Sequence, residues 1–198
     1  MPGSVIEEEQ GKLYNTTYYI EANGKVKARY RKINLWHPER RYISVGREVA
    51  VCSTRYGKVG LMICWDLMFP EIFRAMLTKG VEIVICPSYW TFEDATVGLR
   101  YDTKADVKLI DSLCAGRAFE NEIVFVYCNA AGRLRLPGIE ERLLGRSQIA
   151  VPFKGAIAKL EHNREEMFIR EIDTAIIKDA EKAYGIRSDL RKMGRERR

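Results

Sequence analysis

The chain has 198 residues, 46% of them apolar and 30% charged. That balance suits one folded domain of ordinary size and excludes a disordered or fibrous protein. The net charge of +6 is uneven: residues 187–198 hold six basic side chains against two acidic ones. The body is close to neutral, and the tail has no interleaved aromatics to stack bases, so neither reads as a nucleic-acid surface. The longest apolar runs, 59–65 and 123–128, fall far below the ~20 residues of a membrane helix. Residues 1–10 carry Glu7, Glu8 and Glu9 and no basic stretch, unlike a signal peptide. Five cysteines sit mostly in apolar runs without a CxxC pair, which suggests reduced thiols and a cytoplasmic protein. Only His37 and His162 could assist a zinc ion, and neither has ligand spacing. No metal or other cofactor is expected.

In chain order, Leu13–Ile20 reads as a strand, Asn23-Gly24 as a hairpin turn, and Lys25–Ile33 as a second, alternating strand. Residues 34–48 form a polar loop. Val49–Thr54 and Lys58–Cys64 make another hairpin around Tyr56-Gly57. Pro70 opens a helix that stops at Gly80. Val81–Cys86 is a buried strand, Asp102–Glu120 a long helix, and Ile123–Cys128 a second buried strand. Residues 130–145 read as a loop, followed by short strands near Ser147–Val151, Ala156–Leu160 and Met167–Ile172. Asp173 caps a last helix that ends at Gly185. Strands apolar on both faces belong inside a layered α/β structure, so a sandwich of two sheets with helices outside is expected.

Two positions stand out chemically. In 25–33, alternation puts Lys25, Lys27, Arg29 and Arg31 on one face and Val26, Ala28, Tyr30 and Lys32 on the other. Lys32 alone among the charges points inward. Either it snorkels to the rim or an anion meets it. Cys64 ends a buried strand just before a turn into the Pro70 helix. Such an elbow presents a nucleophile, and the helix N-terminus lowers a thiol pKa; the alternative is one more core cysteine like Cys52, Cys86, Cys114 and Cys128. Glu39 reads by itself as a solvated loop charge, and Glu71 as a first-turn carboxylate.

Taken together these residues resemble a family. Tyr30-Arg31-Lys32-Ile33-Asn34-Leu35, then Glu39 and Gly46, then Gly57 through Glu71 around Cys64-Trp65-Asp66 are similar to the signature of the nitrilase superfamily of carbon–nitrogen hydrolases. Lys79-Gly80, Pro87 and Trp90, Arg117 through Asn121, Asn129, and Gly145-Arg146-Ser147 with Pro152 and Gly155 follow in the expected order. The resemblance implies a four-layer αββα sandwich over residues 1–185, with 186–198 a basic tail. It implies a thiol hydrolase of small aliphatic or carbamoyl amides, or of nitriles. Cys64 would attack the carbon, Lys32 would hold the oxyanion, and Glu39 would support the lysine. Trp65, Tyr89, Trp90 and Asn129 would border the substrate. Cys64 would be the most reactive of the thiols. In the family the general-base glutamate lies on an N-terminal portion that precedes the position of Met1. The expectation is therefore a family member lacking its front section, and the alternative is a catalytically impaired subunit or binding module. A homodimer or larger assembly is also implied, with the tail as an arm on a neighbour.

Overall fold

The computed structural model describes residues 3–196, with side chains placed through residue 193. Its first sheet has three antiparallel strands in the order β1-β2-β3: Val5–Glu9, Lys12–Ile20 and Val26–Arg31. The β1–β2 turn is Gln10-Gly11, both left-handed, the conformation that joins two twisted strands in a tight hairpin. The acidic run 7–9 lies in this first strand. Its Glu7 and Glu9 meet Arg29 and Arg31 across the sheet, with the Arg31–Glu9 contact at 2.8 Å. The alternation expected for 25–33 places Tyr30 and Lys32 inside, but Val26 lies exposed beyond a register shift between Tyr19 and Ile20.

The second sheet has six strands in the order β11-β10-β7-β6-β5-β4. They are β4 (Ala50–Thr54), β5 (Gly57–Leu61), β6 (Ile83–Ser88), β7 (Val124–Asn129), β10 (Gln148–Val151) and β11 (Gly155–Lys159). Strands β5, β6 and β7 are parallel and buried on both faces, as their unbroken apolar runs require. Helices α1 (Pro70–Thr78) and α2 (Ala105–Asn121) cover one face, where the Phe73 and Phe125 rings lie 5.7 Å apart. Gly60 permits this approach: a Cβ there would stand 2.6 Å from Met76 Sδ and 2.9 Å from Val81. The opposite face packs Val59 and Leu61 under Tyr19, Ala28 and Tyr30 of the first sheet. Further along that face, Val124 and Val151 meet Ile177 of α3 (Ala175–Tyr184). Two sheets with helices outside agree with the expected sandwich.

Three expectations change. Residues 130–145 hold a hairpin, β8 (Arg133–Leu136) and β9 (Ile139–Arg142), turned at Pro137-Gly138. The strand expected near Met167–Ile172 is irregular backbone. Met167 and Ile169 are exposed and no strand pairs with them, so alternation alone could not make a ladder. The tail after Gly185 is helical, α4 (Ile186–Glu196). Its first turn is tied to this same chain. Arg187 donates to the carbonyls of Val81 and Asn121, and the Ile186 N–H donates to Glu122. Among the described residues, no helix is long and apolar enough to cross a membrane.

Candidate active site

Cys64 follows the buried end of β5 and begins a 3-10 turn, Cys64–Met68, that leads into α1. Its φ of 49° lies in the left-handed region, which costs a β-carbon-bearing residue of order 1–3 kcal/mol. The surroundings hold it there. Asp66, fully buried, accepts the Ile63 N–H at 3.0 Å, the Asn34 N–H at 2.8 Å and the Tyr30 hydroxyl at 2.7 Å. One carboxyl therefore joins the elbow to the end of β3. From the far side, Arg117 donates to the carbonyls of Leu67 and Met68 at 3.0 and 3.1 Å.

Lys32 is 2% exposed, and its Nζ lies 2.5 Å from Glu39 Oε2. Of the two readings open for Lys32, the structure has the one in which an anion meets it. Glu39 is no solvated loop charge. Its carboxylate also accepts the Trp36 N–H at 2.8 Å and the Asn15 amide at 3.0 Å. Three donors from three segments fix its orientation. The loop is threaded closely: Gly46 donates to the Lys32 carbonyl at 2.8 Å, and a Cβ at Gly46 would lie 2.0 Å from the Arg31 carbonyl oxygen.

The Cys64 thiol faces the Tyr89 carbonyl at 3.5 Å. Burial pushes its pKa up, and the Lys32 charge pulls it back only in part. A depressed pKa was expected from the α1 terminus. The 3-10 turn Cys64–Met68 stands between the sulfur and the start of that helix at Pro70. Among the other thiols, Cys52, Cys86 and Cys114 are buried, whereas Cys128, expected in the core, is exposed at the end of β7.

Lys32, Glu39 and Cys64 open together into a cavity of about 390 Å³. Trp65, Tyr89 and Trp90 wall it, joined by Trp36, which sequence reasoning passed over. The Trp36 and Trp65 rings are 4.3 Å apart, and Trp65 and Trp90 are 5.5 Å apart. Asn129 stands behind this wall: its amide clamps Trp90 by accepting the N–H at 2.9 Å and donating to the carbonyl at 3.2 Å. Asp94 and Glu141 also line it. Neither carries a local sequence signal, because a turn and a distant hairpin bring them together. Chemically, the arrangement presents a thiol, a buried cation fixed by a carboxylate, and an aromatic enclosure.

The carbon–nitrogen hydrolase family model matches residues 2–182. A probable nitrilase of Schizosaccharomyces pombe is 29% identical over 90% of this chain and 60% of its own length. The structure of a carbon–nitrogen hydrolase from Helicobacter pylori superposes with a TM-score of 0.83 at 26% identity, over 94% of this chain and 66% of that one. A mutant amidase from Nesterenkonia sp. AN1, bearing the acetamide moiety of fluoroacetamide on its active-site cysteine, gives a TM-score of 0.63 at 25% identity. That match covers 79% of this chain and 55% of that one. The chain thus spans less than two thirds of the length of each.

Proposed function

This chain belongs to the carbon–nitrogen hydrolase family, and from that premise we propose that it opens the C–N bond of a small aliphatic or carbamoyl amide through a thioester on Cys64. The observation that carries the reading is the buried Lys32–Glu39 pair facing the same cavity as a thiol held at a left-handed elbow. The covalent cysteine adduct of the Nesterenkonia amidase supports it. In this reading the sulfur attacks the carbonyl carbon, and negative charge develops on oxygen. A cation already desolvated and oriented stabilises that charge without reorganising. The C–N bond then breaks, the amine leaves with a proton, and water hydrolyses the thioester.

The thiol proton needs an acceptor, because burial holds the resting sulfur in its protonated form. Glu39 is occupied by three donors, and turning it toward Cys64 would strip Lys32 of its anion. We therefore assign Glu39 a supporting role and expect that it does not act as the general base, a function worth about 10²–10⁴-fold. The occupied Glu39 carboxylate is also the observation that favours the second reading, an impaired subunit or binding module. Assembly as a homodimer or larger, in the reducing cytoplasm, belongs to the proposal.

The test is acylation by an activated ester, read as a burst of released phenol against its steady-state rate. A burst lost in Cys64→Ala, with slow turnover after it, is the expected result. Fast turnover abolished by Glu39→Gln would make Glu39 the base instead. No burst at all would favour the binding module.

A further inference from the structure

Charge in the cavity is lopsided. Its lining holds one cation, Lys32, and three carboxylates, Glu39, Asp94 and Glu141. Lys32 and Glu39 neutralise one another at 2.5 Å. Among the described residues, Asp94 and Glu141 have no cationic partner within ion-pair distance. Asp94 accepts from Thr91, whose N–H lies at 2.8 Å, and Glu141 accepts the Tyr89 hydroxyl. Arg142, next to Glu141 in sequence, is held by Glu93 at 2.7 Å and does not line the cavity. We propose that Asp94 and Glu141, with the surrounding indole and phenol rings, select a primary amide whose acyl chain ends in a cation.

The inference rests on the thioester reading above. Ammonia is the leaving group of a primary amide, so discrimination must come from the acyl part. Two half-buried carboxylates of like sign repel. Each of them raises the Tyr89 phenol, and Glu141 raises Asp94, whose carboxyl burial has already pushed up. A cation between them removes that repulsion, and the rings of Trp36, Trp65 and Tyr89 that line the same cavity offer it cation–π contact. A carboxylate-ended acyl chain would meet the same pair and be repelled.

The experiment compares the 4-nitrophenyl esters of 4-(trimethylammonio)butanoate and 5,5-dimethylhexanoate, which match in shape and differ by one charge. In acylation the Cys64 thiol gives its proton to the buffer, its sulfur forms the S–acyl bond, and the ester C–O bond breaks to release nitrophenolate, so turnover is not needed. The chain carries Cys128→Ser to silence the exposed thiol, and rates are divided by those of a simple cysteine peptide. The cationic ester should acylate faster by about tenfold or more at low salt, within the range of electrostatic steering. Within each variant the cation-to-neutral ratio should drop severalfold on Glu141→Gln and on Asp94→Asn, and the ratio should fall as salt rises. Glu141 lies on a partly exposed hairpin, so its variant serves even where Asp94→Asn fails to fold. Equal rates, or preference for the neutral ester, overturn the selectivity while leaving Cys64 as nucleophile. No acylation by either ester overturns both.

Discussion

Cys64 combines a raised thiol pKa with a backbone that a β-carbon resists, and each property makes a prediction. With Cys128→Ser as background, its alkylation by iodoacetamide should still climb as pH passes 9.0, the ordinary thiol value, because burial keeps the proton on. Lys32→Met removes the one charge that opposes burial, so the rising limb should move to higher pH. A rate already flat by pH 8 would contradict the protonated resting state. The backbone gives a second test. Alanine normally outranks glycine for stability, yet at φ 49° the order should reverse. Cys64→Gly is expected to exceed Cys64→Ala by about 1 kcal/mol in urea unfolding. Asp66 is the third case. Asp66→Asn cannot accept from Ile63, Asn34 and Tyr30 together. The loss should be about 3 kcal/mol, the usual cost of spoiling a buried charged network, accompanied by slower Cys64 acylation.

Elements show how far the sequence could be read. The strand alternation around Tyr30 and Lys32, the Pro70 start and the Gly80 stop are local signals, and the structure follows them. What escaped was long-range. Glu39 reads as a surface charge until Asn15, Lys32 and Trp36 converge on it. Asp94 and Glu141 meet only because β8–β9 folds back over the turn that follows Thr91. The tail reads as a charged run because its anchor, Arg187, needs carbonyls more than 60 residues away in sequence. Gly46 shows the reverse, a single residue with a large consequence: Gly46→Ala would drive a methyl into the Arg31 carbonyl. Circular dichroism melts should show a large drop in Tm, together with lost acylation, since the displaced loop carries Glu39, the partner of Lys32. The α3–α4 junction has its own pH dependence. Burial and the facing Glu181 carboxyl push Glu122 above its ordinary value of 4.5. The folded state therefore holds that proton more tightly than the unfolded chain. The resulting stabilisation is complete below pH 4.5 and is lost as pH rises through the folded value. Arg187 faces the pair, and Glu181, held below its ordinary value against burial by hydrogen bonds from Ser188 and Glu122, shifts the opposite way; both offset part of the loss. Glu122→Gln should flatten the decline in Tm between pH 5 and 8; an unchanged slope would exclude this pair as its source.

At the scale of the molecule, the six-stranded sheet fixes the site more firmly than the hairpin above it. Cys64 and Trp90 each follow a strand buried on both faces, whereas Glu141 rides on a four-residue edge. Sedimentation over a wide concentration range should reveal a dimer or larger species. A single monomer boundary throughout would remove assembly from the proposal. The left-handed conformation at Cys64 also sets a direction for sequence drift. Wherever a descendant of this chain no longer needs the sulfur, glycine becomes the more comfortable occupant, and every other contact at the elbow can persist. Retaining cysteine there resists that pull in each generation. If Cys64 carries the proposed thioester, the residue at this one position would record whether selection acts on that chemistry, independently of how well the rest of the fold survives.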